Sequence, residues 1–255
     1  MAKNNPSDFV VFFDDGGVMN DNRLRGIQWQ KLVGEFFSPK FGGELHKWAE
    51  GNFEFITRFI EEEMVAIEKG TITDTDYLNH YSKFQSEWIT SMFEFVGIEV
   101  PPKELHSKIY LEAINFITPN VKASFPGISE AIKNLHNLGF RISTASAEHS
   151  NELKGYLRGM RIIDRFENFY GPDLINTHKS MTNFYCKIFE NLNLNPRRAI
   201  VIDDAPRYLE NAERSGANVI QACLTEEKKP SFQYNINHMS ELPEVVMQVI
   251  KKAKK

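Results

Sequence analysis

The chain is 255 residues long, with 42% hydrophobic residues, 25% charged residues and a formal net charge of −4. This composition is typical of a globular protein with a sizeable core, and it excludes a disordered chain and a strongly basic nucleic-acid or membrane binder. Two cysteines, Cys186 and Cys223, exclude a disulfide framework. Because the N-terminus also lacks the apolar stretch of a signal peptide, we expect a soluble, cytoplasmic protein.

Residues 10–13 read Val-Val-Phe-Phe, an apolar run that predicts a central strand of a parallel sheet. Asp14 and Asp15 follow, and Gly16 and Gly17 predict a tight turn. Open α/β sheets bind their ligands at the carboxyl ends of their strands, so these carboxylates are candidates for a functional site. On this segment alone, an ordinary strand followed by an acidic turn is an equally good interpretation.

The chain from Asn22 to about Asn120 has the apolar spacing of helices. Four helices are predicted, from Ile27 to Phe37, from Phe53 to Ile67, from Tyr77 to Phe93 and from Leu105 to Ile114. Aromatic residues at helical spacing are more often core than cofactor site, and we interpret them as core.

From about Ser124 onward, strands alternate with helices, which predicts a doubly wound parallel sheet. Strands are predicted at 140–145, 199–202 and 218–221, and helices at 128–135, 153–157, 184–192 and 243–251, with one more ending at Gly216. The first strand has no partner in the helical segment, so it belongs to this sheet. The predicted fold is therefore α/β, with a Rossmann-like core from residues 1–21 and 122–255 and an inserted all-helical cap domain at 22–121.

Chemically useful residues stand at the predicted carboxyl ends of the later strands. Ser146 follows one strand, Asp203 and Asp204 end another, and Lys179 precedes a helix between them. In a parallel sheet these positions meet Asp14 at one edge. Carboxylates so close together favour a hard cation such as Mg²⁺, and the whole set is suited to phosphoryl transfer.

Each residue also has a plain structural interpretation. Ser146 alone is more often a hydroxyl bonded to backbone, and Lys179 alone is more often a solvated lysine. A helix N-cap accounts for one aspartate of the pair 203–204, but not for both. The order of these features, with a helical insertion after the first, makes coincidence a poor explanation.

These segments resemble the motifs of the haloacid dehalogenase superfamily, in its helical-cap branch that includes β-phosphoglucomutase and phosphonatase. Residues 13–19 resemble the first motif, Asp-x-Asp-Gly-Thr/Val, and residues 145–147 the second. Residues 178–180 resemble the third, where the family usually has Lys-Pro, and residues 201–206 the acidic fourth. Residues 125–128 resemble the return of the chain from the cap to the core.

The resemblance implies a role for each matching residue. Asp14 would be the nucleophile, and Ser146 and Lys179 would complete the catalytic set. Phosphoryl oxygens would be held by Ser146, Ala147 and Lys179, and Mg²⁺ by Asp14, the backbone carbonyl of Gly16, Asp203 and Asp204.

The chain departs from the family at Gly16, where the family has the aspartate that acts as general acid and base. Glycine cannot transfer protons. Phosphonoacetaldehyde hydrolases also lack this aspartate and use a cap lysine instead. Lys47 is the candidate for such a lysine here, and the alternative is that Lys47 is a solvated helix residue. Haloacid dehalogenases proper lack this aspartate too, but they need no metal. Arg23 and Arg25 are candidates for anion contacts, or solvated arginines at a helix start.

The sequence therefore predicts a Mg²⁺-dependent hydrolase, a phosphatase that acts on a small phosphorylated metabolite through an aspartyl-phosphate at Asp14. The alternatives are a phosphonatase-like or other non-ester bond hydrolase, and a weak or inactive binding or regulatory protein.

Overall fold

The computed structural model describes residues 5–71 and 77–252. A six-stranded sheet has the order β3-β2-β1-β4-β5-β6, and every neighbouring pair is parallel. The strands are β1 (Val10–Phe13), β2 (Arg141–Ala145), β3 (Asn168–Tyr170), β4 (Ala199–Asp203), β5 (Asn218–Ala222) and β6 (Asn235–Ile236). The helices are α1 (Asn22–Phe41), α2 (Leu45–Glu68), α3 (Tyr77–Val96), α4 (His106–Asn120), α5 (Ile128–Asn137), α6 (Ser150–Gly159), α7 (Pro172–Ile175), α8 (Phe184–Asn191), α9 (Pro206–Arg214) and α10 (Leu242–Lys252).

Strand β1 lies at the centre of the sheet, between β2 and β4. Its four residues are fully buried, because apolar residues cover both faces of a central parallel strand. Phe13 stands opposite Thr144 of β2 and Ile202 of β4. This register places the residues that follow the three strands side by side at the carboxyl edge.

Helices α1 to α4 lie between β1 and α5 in the chain and share an apolar cluster. Phe37 of α1 is its centre, with ring-centroid distances of 4.9 Å to Trp48, 5.5 Å to Trp88 and 6.2 Å to Phe93. Two other clusters cover the faces of the sheet. The aromatic residues of this segment are thus mostly core, as the sequence predicts.

The helical segment packs directly against the part of the chain that forms the sheet. Helix α4 packs along α6, and Tyr156 of α6 belongs to the apolar cluster of helices α1 to α4. The division into a core (1–21 and 122–255) and a cap (22–121) therefore stays a prediction, of which residues 1–4, 72–76 and 253–255 lie outside the described ranges.

The doubly wound parallel fold is confirmed, with differences in detail. The short elements β3, β6 and α7 have no counterpart in the sequence prediction, because two to four residues are too few for a periodic pattern. The second predicted helix begins earlier, at Leu45, and α6 extends from Ser150 to Gly159. No helix in the described ranges has both the length and the apolar character needed to cross a membrane.

Candidate active site

Three carboxylates meet at the carboxyl edge of the sheet. Asp14 follows β1, Asp203 is the last residue of β4, and Asp204 follows it. One oxygen of each lies within 4.8 Å of the others, and all three residues are buried. The cluster contains only oxygen donors and a surplus of negative charge, which is the donor set that Mg²⁺ prefers.

Lys179 lies inside this cluster and is fully buried. Its Nζ is 2.9 Å from Oδ1 of Asp14 and 2.6 Å from Oδ2 of Asp203. Burial opposes the charge on Lys179, but Asp14 and Asp203 raise its pKa well above the usual value, so it stays an ammonium. Burial nevertheless raises the pKa of Asp203 against the effect of Lys179, so a further cation would be needed to keep this carboxylate fully ionised.

The carboxylate of Asp204 lies close to Gly17 and to the ammonium group of Lys228. Gly17 has φ +81°, and a Cβ on it would lie 2.4 Å from Cγ of Asp204. Only glycine fits this conformation at this distance. Nζ of Lys228, in the loop after β5, lies 2.7 Å from Oδ2 of Asp204.

Ser146 joins two loops through its hydroxyl. Its Oγ accepts the backbone N–H of Asp15 at 3.4 Å and that of Glu148 at 3.3 Å. The residue is buried at the end of β2, whereas Ala147 beside it is exposed. The interpretation of Ser146 as a hydroxyl bonded to backbone is therefore correct, and the backbone it binds includes the first turn of the site.

Two side chains of α1 occupy the space beside Gly16. A Cβ on Gly16 would lie 2.6 Å from Oδ1 of Asn22 and 3.2 Å from Nη2 of Arg25. The Nη1 atom of Arg25 lies 2.5 Å from Oδ2 of Asp15 and 2.8 Å from Oε1 of Glu148. The solvated alternative is therefore wrong for Arg25, whose side chain is only 16% exposed.

Arg23, in contrast, is the solvated arginine that the second interpretation predicted, because it is 62% exposed and pairs with Asp21 at the start of α1.

Asp15 differs from a surface aspartate. It is fully buried, and burial raises its pKa to about 6 even though Arg25 and Asn20 stabilise the charged form.

A cavity of about 490 Å³ lies between helices α1 to α4 and the loop after β2. Asn22 and Arg25 line it and also lie beside Gly16, whereas Asp14, Lys179, Asp203 and Asp204 are not part of its lining. Aromatic side chains form much of its wall, namely Trp29, Phe59, Phe84, Trp88, Tyr110 and Tyr156. The carboxyl groups among the described lining residues are those of Glu63, Glu148 and Glu152. Within the described part of the chain its lining contains no lysine, and Lys47 is exposed on α2.

Two of the cavity's carboxyl groups are paired with histidines. Burial raises the pKa of Glu152, but His149 at 3.4 Å and the Tyr110 hydroxyl at 2.7 Å lower it by more. Glu63 lies 3.3 Å from Nε2 of His80 and 3.6 Å from Nε2 of His178, and these histidines lower its pKa, against burial, to about 2.

The third carboxyl group, that of Glu148, behaves in the opposite way. Burial raises its pKa, Arg25 opposes this effect, and the negative charge of Glu152 adds to it. These three carboxyl groups of the described lining therefore differ in protonation, although they line one cavity.

Aromatic contacts join α3 to the loop after β2. The Tyr77 hydroxyl and Nε2 of His149 are 2.7 Å apart, and the ring of Tyr81 stacks on His149 with centroids 3.6 Å apart. Glu63 of α2 reaches His178, the neighbour of Lys179, at 3.6 Å. The helices thus contact the two loops that carry Ser146 and Lys179.

Sequence reasoning missed the contributions of Glu148, Glu152 and Lys228 and left Arg25 as one of two candidates. None of these residues belongs to a recognisable motif in the printed sequence. Contacts such as Arg25 with Glu148 and Lys228 with Asp204 join segments that are far apart in the chain, and a single sequence carries no signal for such contacts.

The chain matches the family model of the haloacid dehalogenase-like hydrolases over residues 52–222. It belongs to that family. The hydrolase class and the family predicted from the sequence motifs are thereby confirmed. The residue roles that the resemblance implies are not tested by this match.

Solved structures of the family share the fold. The magnesium-bound HAD-hydrolase YfnB from Bacillus subtilis is 15% identical with a TM-score of 0.62, over 93% of this chain and 98% of that one. The L-2-haloacid dehalogenase from Xanthobacter autotrophicus, with chloropropionic acid covalently bound, is 14% identical with a TM-score of 0.59 and the same two coverages. At such identities the likeness extends to the fold alone.

Among curated proteins, the enolase-phosphatase E1 of Shewanella halifaxensis is 24% identical over 121 residues. The match covers 46% of this chain and 53% of that protein. The chain thus spans about half the length of this relative, so the relative's activity is not a finding about this chain.

Proposed function

We propose that the protein is a Mg²⁺-dependent phosphatase that hydrolyses a small phosphorylated metabolite by way of an aspartyl-phosphate on Asp14. The observation that carries this proposal is the cluster of Asp14, Lys179, Asp203 and Asp204 at the carboxyl edge of β1 and β4. A nucleophilic carboxylate with an ammonium 2.9 Å away is equipped to attack phosphorus and to hold the transferred group.

The donors in the site suit the charge of a phosphoryl group. A serine hydroxyl has one hydrogen and two acceptor lone pairs. Both acceptor positions of Ser146 are taken by the N–H groups of Asp15 and Glu148, which leaves its O–H to donate. Lys179 supplies a second, charged donor, 2.9 Å from Oδ1 of Asp14.

The residues present fit Mg²⁺. Three clustered carboxylates face two ammonium groups, those of Lys179 and Lys228, so one negative charge remains to be neutralised. Asp14, Asp203, Asp204 and the backbone carbonyl of Gly16 would hold the ion. When bound, the ion would neutralise the carboxylates and polarise the phosphoryl oxygens.

The cavity beside Gly16 supports a small substrate. Its volume of about 490 Å³ suits a metabolite rather than a macromolecule. Its aromatic walls would pack against the part of the substrate that leaves as an alcohol. A phosphonatase with a Schiff-base lysine is less well supported, because Lys47 is exposed and the described cavity lining holds no lysine.

The experiment is phosphate release from a panel of phosphomonoesters and phosphonates, with and without Mg²⁺, by the wild type and Asp14→Asn. Release that requires both Mg²⁺ and Asp14 is the expected result. Asp164→Asn is the matched control, because the Asp164 side chain is 65% exposed and pairs with the neighbouring Arg165. Absence of Asp14-dependent release from every compound would favour a binding or regulatory protein instead.

A further inference from the structure

Three carboxyl groups of the described residues line the cavity, and two of them are unsuited to donate a proton. Glu63 is paired with His80 at 3.3 Å and with His178 at 3.6 Å, and Glu152 is paired with His149 at 3.4 Å. Their pKa values are lowered to about 2, so both are carboxylates near neutral pH. A proton donor in this cavity must therefore be another group.

Glu148 is the carboxyl group whose surroundings favour the protonated form. The charged groups facing it are Arg25 from α1, Glu152 from α6 and Asp15 from the turn after β1. Burial is the largest effect on its pKa; Arg25 lowers it, Glu152 and Asp15 raise it further, and the result is about 8. A carboxyl group with such a pKa carries its proton near neutral pH.

Glu148 is also tied to the nucleophile's turn. Its backbone N–H and that of Asp15 donate to the same hydroxyl oxygen, that of Ser146. Arg25 contacts both Glu148 and Asp15 through Nη1, and its Nη2 lies 3.2 Å from the position of a Cβ on Gly16. The Glu148 carboxyl group therefore borders the space in which the leaving group of a substrate on Asp14 would lie.

We propose that Glu148 is the general acid and base that the glycine at position 16 cannot provide. The inference rests on the proposed phosphatase function. In the first step Asp14 forms a bond to phosphorus, the bond from phosphorus to the alcohol oxygen breaks, and Glu148 gives its proton to that oxygen. In the second step water attacks phosphorus, its proton passes to the Glu148 carboxylate, and the Asp14 carboxylate and phosphate are released.

The test is kcat/KM of Glu148→Gln with two substrates, an alkyl phosphate and p-nitrophenyl phosphate, whose leaving group needs no proton. General acid catalysis contributes typically a hundredfold or more, so we expect a loss of at least about a hundredfold for the alkyl phosphate and of less than about threefold for p-nitrophenyl phosphate. A general acid must be protonated, so the wild-type value for the alkyl phosphate should fall as the pH rises through about 8. Glu148→Gln should lack this basic limb.

Two further variants keep the test independent of folding. Glu148→Ala should regain alkyl-phosphate hydrolysis when imidazolium is added as an external acid. Glu167→Gln is the control, because Glu167 is exposed and pairs with Arg141 at the opposite end of β2, at 2.9 Å. It should match the wild type with both substrates.

The other outcomes overturn the inference. Equal losses for both substrates, an unchanged alkyl-phosphate rate, or a wild type that cleaves p-nitrophenyl phosphate but no alkyl phosphate would each exclude Glu148 as the acid while the phosphatase function stands. Hydrolysis that survives Asp14→Asn would instead refute the phosphatase function, and the role of Glu148 would be refuted with it.

Discussion

The ammonium of Lys228 lies 2.7 Å from a carboxylate oxygen of Asp204, within the acidic cluster proposed to hold Mg²⁺. Lys228 comes from the loop after β5 and is 37% exposed. A lysine on a proposed metal ligand is a cation that competes with the metal for the same carboxylate. The affinity for Mg²⁺ should therefore depend on this loop.

Lys228→Met should bind Mg²⁺ more tightly than the wild type. A partly exposed ion pair is worth about 1 kcal/mol or less, which corresponds to at most roughly a fivefold change in the dissociation constant. Isothermal titration with Mg²⁺ measures it directly. Lys229→Met is the matched control, since Lys229 is exposed one residue further along. Weaker binding by Lys228→Met would contradict competition and indicate that Lys228 supports the site.

Gly17→Ala should unfold more easily and bind Mg²⁺ poorly. A left-handed backbone costs a residue with a Cβ about 1–2 kcal/mol, and here the Cβ would also lie 2.4 Å from Cγ of Asp204. We expect the free energy of unfolding in urea to fall by at least about 2 kcal/mol.

Gly26→Ala should change the stability in the opposite direction to Gly17→Ala. Gly26 lies inside α1, and a Cβ there would meet nothing within 4 Å. Alanine is favoured over glycine in a helix by about 1 kcal/mol, so this variant should be slightly more stable. A Gly17→Ala protein as stable as the wild type would show that Asp204 can move aside freely.

The printed sequence is enough to predict which residues meet at the sheet edge. The apolar runs before Asp14 and Asp203 specify buried strands, and parallel pairing then brings their carboxyl ends together. Lys179 follows from the same topology, since it precedes a helix that returns to the sheet. These inferences need only local patterns and one rule of sheet geometry.

The surroundings of Glu148 could not be predicted in this way. Its pKa depends on burial and on Arg25, which is more than a hundred residues away in the chain. The predicted solvation of Arg25 failed because the polar turn at the start of α1 gives no sign that its side chain folds inward to Asp15. Contacts of this kind are set by tertiary packing, which composition and periodicity do not encode.

Glu63→Gln should lower the free energy of unfolding at neutral pH, and this loss should be smaller in acid. The pKa of Glu63 is depressed to about 2 from an ordinary 4.5, against burial, by His178 and His80. A depressed pKa stabilises the fold above the unfolded-state pKa, and this contribution is lost as the pH falls from about 4.5 to about 2. The shift corresponds to about 3 kcal/mol at most.

Urea unfolding of the wild type and Glu63→Gln at pH 7 and near pH 2.5 measures the effect. The difference in unfolding free energy should be largest at pH 7 and shrink in acid. Glu62→Gln serves as the control, because its side chain is 72% exposed. A difference that stays constant with pH would assign the effect of Glu63 to packing rather than to its charge.

Gly16→Asp should have little effect in the wild type but should restore alkyl-phosphate hydrolysis to Glu148→Gln. The physical reason is that one general acid suffices, so a second carboxyl group helps only when the first is gone. A Cβ at position 16 would lie 2.6 Å from Oδ1 of Asn22, the end of a side chain on the first turn of α1. Asn22→Ala should therefore be added to make room. The measurement is kcat/KM for the alkyl phosphate in the single, double and triple variants.

This series of variants distinguishes two explanations of how the site works with a glycine at position 16. If Glu148 is the acid, the loss caused by Glu148→Gln should shrink by at least about tenfold once the aspartate is present, since acid–base catalysis supplies a hundredfold or more. If the site works without any acid, a folded Gly16→Asp protein should instead gain activity with Glu148 intact. A large gain in the activity of Gly16→Asp with Glu148 intact would thus show that proton transfer limits the wild type and that Glu148 does not supply the proton.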